Sequence, residues 1–263
     1  MKCLKLAICV FVLCLFLACD DSLDIEKNPV ISKVSLIGDA ARGWEDFYKN
    51  PLPLFMERTG EDVFEFRGSL SAGFLKISAD AVPNWDGCWF LPSADTVLNN
   101  GLAQSMVYSI KGDGGENGPK WEISKPALYN ITLNKKTKTI QCTEEGEYVP
   151  EGTNEIFSSM YFVLCRQDAP QSYPMTKTGD NWVITRNLSV GNYIKFNGEN
   201  LPRIEWEVPF PSLKWFCPLA DGTPVSGTAI FKYGADNSFA WRVNTQGSYT
   251  VTLNPREGTV SFE

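Results

Sequence analysis

Four residues in the first half of the chain have types and spacing that suit chemistry: Trp44, Lys76, Trp85 and Trp89. Trp44 follows Gly43 in the loop after a first apolar strand. Trp85 and Trp89 lie in PNWDGCWFLP, where Pro, Asn and Gly mark a loop. Two or more loop tryptophans exposed together make an apolar platform, which a protein in water seldom keeps without a ligand. Lys76 alternates with Leu75 and Ile77 and so faces away from the residues expected in the core. A flat ring beside Lys, Asp or Asn suits a pyranose, whose axial C–H groups pack on the ring while its rim hydroxyls need fixed donors and acceptors.

Composition removes several other chemistries. The chain has no histidine, which excludes Ser-His-Asp and Cys-His catalysis and the usual zinc enzymes, each of which needs an imidazole as base or ligand. With 24 Lys plus Arg against 31 Asp plus Glu, it is too acidic for nucleic acid to be a partner. No spacing among those acids marks the carboxylate pair of a glycosidase. KGDGGENG, residues 111 to 118, reads as a polar Gly-rich turn rather than a calcium loop, and no metal or cofactor is expected. Cys88, Cys142, Cys165 and Cys217 either pair, in one of three connectivities, or stay as isolated buried thiols.

The elements that position these residues are duplicated. KWEISKPALYNITLNKKTKTI and AWRVNTQGSYTVTLNPREGTV match at one constant offset, with Trp121 over Trp241, Tyr129 over Tyr249 and Asn134 over Asn254. Apolar and polar residues alternate in both copies, the period of a half-buried strand, and NKKTK and NPREG supply the turn of a terminal hairpin. Upstream, Met56, Gly60, Leu70 and Lys76 fall over Met175, Gly179, Leu188 and Lys195. Trp121, Trp241 and Trp182 read as core. The pattern predicts an all-β protein with two tandem β-sandwich modules, at 34–145 and 157–263, joined by an acidic solvated linker at 146–156.

At the N-terminus, Lys2 and Lys5 precede an apolar run too short to span a bilayer, which marks residues 1–18 as a signal peptide. LFLACDD resembles a bacterial lipobox, which implies a lipidated Cys19 and a tether over 19–33.

VSLIGDAARGW, PLPLFMERTGEDVFEFRGSLSAGFLKIS and the following NW resemble the opening of the carbohydrate-binding modules in SusE/SusF-like outer-membrane lipoproteins of the Bacteroidetes. The closing W, Y, TLN and TI also fit, well over 34–142 and loosely over 157–263. The resemblance implies non-catalytic binding of a starch-like glucan or another polysaccharide at the cell surface, beside an outer-membrane glycan transporter. It implies Trp44, Lys76 and Trp85 as binding residues, and Asp20 and Asp21 as an export signal. The second module has CRQDAPQSY in place of GDAARGW, which leaves Tyr173, Lys195 and Trp206 as its candidate binding residues. The rival readings are a β-sandwich glycosidase or lyase, and an outer-membrane scaffold that binds no sugar.

Overall fold

The computed structural model describes residues 31, 33–44, 54–80, 85–109, 117–168, 170–198, 214–234 and 239–263. Every regular element among them is a strand. The first sheet comprises β1 (Val34–Ile37), β2 (Leu54–Arg58), β3 (Val63–Leu70), β4 (Gly73–Ser78), β5 (Trp89–Leu91), β6 (Thr96–Val97), β7 (Ala103–Ser105), β8 (Val107–Ser109), β9 (Trp121–Ile123), β10 (Ala127–Asn134) and β11 (Thr139–Gly146). The second comprises β12 (Met160–Cys165), β13 (Gln171–Pro174), β14 (Thr176–Thr178), β15 (Asn181–Leu188), β16 (Tyr193–Gly198), β17 (Trp215–Pro218), β18 (Gly227–Gly234), β19 (Trp241–Arg242), β20 (Gly247–Asn254) and β21 (Thr259–Phe262).

The predicted alternation is realised residue by residue. Along β10, Ala127, Tyr129, Ile131 and Leu133 are buried while the residues between them are partly exposed. In the turns that follow β10 and β20, Asn134 accepts from the Thr137 amide at 3.0 Å, and Asn254 accepts from the Arg256 and Glu257 amides at 3.1 Å. A side-chain carbonyl thus holds each hairpin turn in place.

The two sheets repeat one pairing scheme. β1 lies between β2 and β4, as β12 lies between β13 and β16. β3 joins β10 and its hairpin partner β11, as β15 joins β20 and β21. Each sheet curls over because some strands change partner half-way. β2 pairs first with β1 and then with β3, and β18 pairs first with β21 and then with β17. In the second sheet the strand matching β2 is divided at Met175 into β13 and β14, which pair with β12 and β15 in turn.

Curling closes a core inside each sheet. Trp121 and Trp241 are fully buried, and Trp241 packs with Phe162, Phe196, Val251, Leu253 and Val260. A second apolar cluster lies on the other face of the second sheet, formed by Val163, Cys165, Trp215, Cys217 and Ala240. Ile37, Trp89 and Leu91 form its counterpart on the first. Among the described residues no cysteine is joined in a disulfide.

Residues 147–155 run between the sheets without regular structure, yet they are pinned at both ends. The Val149 amide donates to Ser69 Oγ at 3.0 Å and the Thr153 amide to the Pro255 carbonyl at 2.8 Å. Gly152 lies so close to the β20–β21 turn that an added Cβ would stand 1.6 Å from the Arg256 carbonyl oxygen. Residues 147–155 are therefore mostly exposed but tied to both sheets, through Val149 to the first and Thr153 to the second.

Candidate binding site

The site lies on the outer face of β1, β4 and β5. Ile37 pairs with Lys76 and Ser78 pairs with Trp89, so Ile37, Lys76 and Trp89 project from the same side of the sheet. Leu75 and Ile77 project from the other side into the core, as the alternation predicts. Lys76 faces away from the core as the alternation predicts, yet that side is covered too and Lys76 is fully buried. Its ammonium lies 6.0 Å from the ring centroid of Trp85 and 5.8 Å from that of Trp89, within range of the aromatic quadrupole.

Two loops bring in the cover. After β1 the chain folds over Gly38–Gly43, whose amides and carbonyls bond reciprocally at 2.9 Å. The Ala40 amide is tied to the Phe74 carbonyl at 3.0 Å. Gly38 has φ of 122°, and a Cβ there would meet the Phe74 carbonyl oxygen at 2.5 Å and the Trp44 ring at 3.0 Å, so this turn requires glycine. The loop delivers Trp44 immediately after Gly43. After β4, a backbone bond from Ala79 to Cys88 at 2.9 Å and one from the Cys88 amide to the Asp80 carboxylate at 2.6 Å close the loop that carries Trp85.

The three rings form one stack. Trp44 and Trp85 have centroids 6.2 Å apart with planes at 26°, and Trp85 and Trp89 lie 5.7 Å apart at 21°. Such pairs add about 0.5–1.5 kcal/mol each beyond area burial, so the row holds itself together. Trp89 is fully buried in strand β5, not displayed on a loop as the surrounding Pro, Asn and Gly suggest. Trp85 has a ring on either side. Trp44 ends the row, and it and Trp85 are both half-buried.

Two residues that sequence reading passed over complete the rim. The Lys120 ammonium lies 5.5 Å from both the Trp44 and Phe74 centroids, and Phe74 is 37% exposed. The available signal for Lys120 was its place directly before the core residue Trp121. The surface at this point is a ring face, a second aromatic and a cation between them.

The matching face of the second sheet is built differently. Val163 pairs with Lys195 and Asn197 with Trp215, the same register as Ile37 with Lys76 and Ser78 with Trp89. Lys195 sits 4.3 Å from the Trp215 centroid and is only 9% exposed. Tyr173 does not join it. Tyr173 pairs with Phe162, which pairs with Phe196, and it packs on the core side, where the Arg186 guanidinium lies 3.7 Å from its ring centroid. Tyr173 and Lys195 thus lie on opposite faces of one sheet, which corrects their grouping as a single site. Trp206 and Cys19 lie outside the described residues.

Among the described residues no pair of rings is stacked over Lys195 and Trp215 as Trp44 and Trp85 are stacked over Lys76 and Trp89. Phe74 is matched by Tyr193, whose ring centroid lies 4.5 Å from the Arg166 guanidinium. Burial would lower the pKa of Arg166, but its hydrogen bond and ion pair with Asp221 prevail and raise it.

No family model matches this chain, and no curated protein matches it. Among solved structures the chain is similar to SusF from Bacteroides thetaiotaomicron, with a TM-score of 0.32 and 12% sequence identity. The match covers 90% of this chain and 50% of that one, so the chain spans about half the length of SusF.

Proposed function

We propose that this protein binds a polysaccharide without cleaving it, a starch-like glucan or another glycan, and holds it at the outer-membrane surface for uptake. The observation that carries the reading is the stacked row Trp89, Trp85 and Trp44 over the buried Lys76, ending in a half-exposed ring beside Lys120 and Phe74. An indole face takes the C–H face of a sugar, and an adjacent ammonium donates to its hydroxyls. Trp44 makes the contact in this reading, Trp85 and Trp89 support it, and Lys76 fixes the base of the stack.

The same proposal assigns residues 1–18 to a signal peptide and Cys19 to a lipid anchor followed by a tether to residue 33. Residues 34–145 and 157–263 are two β-sandwich modules. The glycan-contacting residues lie in the first. An outer-membrane glycan transporter is the proposed neighbour.

The test is retention of the mature protein on immobilised soluble starch, xylan, mannan and mixed-linkage β-glucan, with reducing ends assayed in parallel. Retention on at least one polymer with no new reducing ends is the expected result. New reducing ends would mean an enzyme, and no retention on any polymer would mean a scaffold.

A further inference from the structure

The second sheet reaches the loop that carries Trp44. Val163 pairs with Lys195 and Cys217 with Lys232, and the register of β16 on β17, Phe196 with Phe216, sets these two pairs in one row facing the same way across β12, β16, β17 and β18. Lys232, at the end of the row, donates from its ammonium to the Asp39 carbonyl and, at 3.0 Å, to Ser71 Oγ. Ser71 in turn donates to the Asp39 carbonyl at 2.8 Å and its amide bonds the Ala40 carbonyl at 2.9 Å. The Ala72 amide crosses to the Leu219 carbonyl at 3.1 Å.

Arg42 completes the contact. It lines a small void with Trp215, Cys217, Lys232 and Gly234, and a Cβ on Gly234 would lie 3.0 Å from the Arg42 carbonyl oxygen. The backs of residues 39–42 therefore rest on the face where the second sheet carries its own Lys–Trp pair.

We infer that this face of the second sheet takes no glycan and instead clamps the Gly38–Gly43 loop through Lys232, so that both halves of the chain build the single site at Trp44. The inference rests on the binding reading above for its functional half only. Lys232 is a positioning residue: a residue only 7% exposed, whose ammonium donates to a carbonyl and a hydroxyl, both in loops of the first half of the chain. A buried cation is tolerated only where such acceptors are fixed, and removing it frees the loops they belong to.

The experiment compares the full mature chain with its Lys232→Met, Lys232→Arg and Ser71→Ala variants by hydrogen exchange and by retention on soluble starch. The amides of Ala40, Ala41 and Gly43, each bonded within the loop or to Phe74, report the clamp without any sugar. Expected in Lys232→Met is exchange about tenfold faster at these amides, the scale of losing a hydrogen bond to a charged group, with β20 unchanged. Ser71→Ala shows a smaller effect in the same direction, and Lys232→Arg restores most of the protection. Starch retention falls several-fold in step with the exchange. Unchanged exchange in both Lys232→Met and Ser71→Ala overturns the clamp. Faster exchange with full retention overturns its role in binding. If the wild-type protein holds no starch, the binding reading loses that polymer, while the exchange data still decide the clamp.

Discussion

The Lys195 ammonium lies 4.3 Å from the centroid of the Trp215 ring, and at the matching register of the first sheet Lys76 lies 5.8 Å from Trp89. One duplicated pair has two surroundings. Over Lys76 stand Trp85 and the half-exposed Trp44, whereas the face carrying Trp215 is met by Arg42 from the first sheet. The expected consequence is one binding site per chain: calorimetry against a short oligosaccharide from a retained polymer should give a stoichiometry near one. A value near two would mean that the second face is open.

Trp44 and Trp85 should separate in their effects. Trp44→Ala removes the terminal ring of the stack, with one ring neighbour in place of two, and should cost about 2 kcal/mol or more in glycan affinity, the scale of a hot spot, with little change in melting. Trp85→Ala opens a gap between two rings above a buried ammonium, so it should weaken binding and stability together. Titration and thermal melts on both variants check this. A Trp44→Ala protein that binds as wild type would remove Trp44 from the site.

Trp121 and Trp241 are fully buried at equivalent places in the two sheets. Truncating either to Ala should destabilise the protein by about 3–5 kcal/mol, as loss of a buried aromatic does. Denaturant unfolding would measure it, and a variant that unfolds like wild type would contradict the burial.

Gly152→Ala should be disproportionately costly for an exposed linker residue. Its new Cβ would stand 1.6 Å from the Arg256 carbonyl, so the linker or the β20–β21 turn must move, at about 1–3 kcal/mol. Gly101→Ala is not a neutral control, since Gly101 has φ of 74°, but Gly146, where nothing lies within 4 Å of an added Cβ, is one. Equal melting of Gly152→Ala and Gly146→Ala would show that the linker is not pinned.

Stability should fall at alkaline pH. Burial, helped by the charges of Cys142 and Glu144 and opposed by an Asn99 hydrogen bond, raises Tyr129 from 10.0 to about 12, and burial raises the Cys142 thiol from 9.0 to about 12. The folded state holds both protons more tightly than the unfolded chain does. Their contribution is therefore complete below about pH 9 and is lost as the pH climbs to about 12. Urea midpoints measured across this window should decline, and less steeply in Tyr129→Phe. Identical slopes would exclude Tyr129 as a source.

Cys19→Ala should release the protein from membranes if the lipobox reading holds, because one multiply acylated cysteine is then the anchor. Retention in the membrane fraction after a high-salt wash would defeat that reading.

The hairpins and the duplication were legible because period-two alternation and Asn-initiated turns are local signals. The fate of Lys76 and Lys195 was not, since alternation gives the side a residue faces and not what covers that side. Trp89 was misread because a three-residue strand is too short to stand out against neighbouring Pro, Asn and Gly. Its partner Trp215 was missed because the loop between β16 and β17 is longer than the one between β4 and β5, which destroys the constant offset. Tyr173 was grouped with Lys195 because the register of β13 on β12, which sets Tyr173 beside Phe162, is not written in the pattern of so short a strand. Lys232 has no local signal at all: its acceptors come from the other half of the chain.

The ends of the two strand orders have a consequence for behaviour in a crowd. The first sheet's order ends in the two-residue β6 and the three-residue β7, and the second's in β13, which carries Pro174, and the three-residue β14. Short or proline-bearing margins offer few unpaired backbone groups to a neighbouring copy. Many copies packed side by side can therefore stay separate instead of joining sheet to sheet.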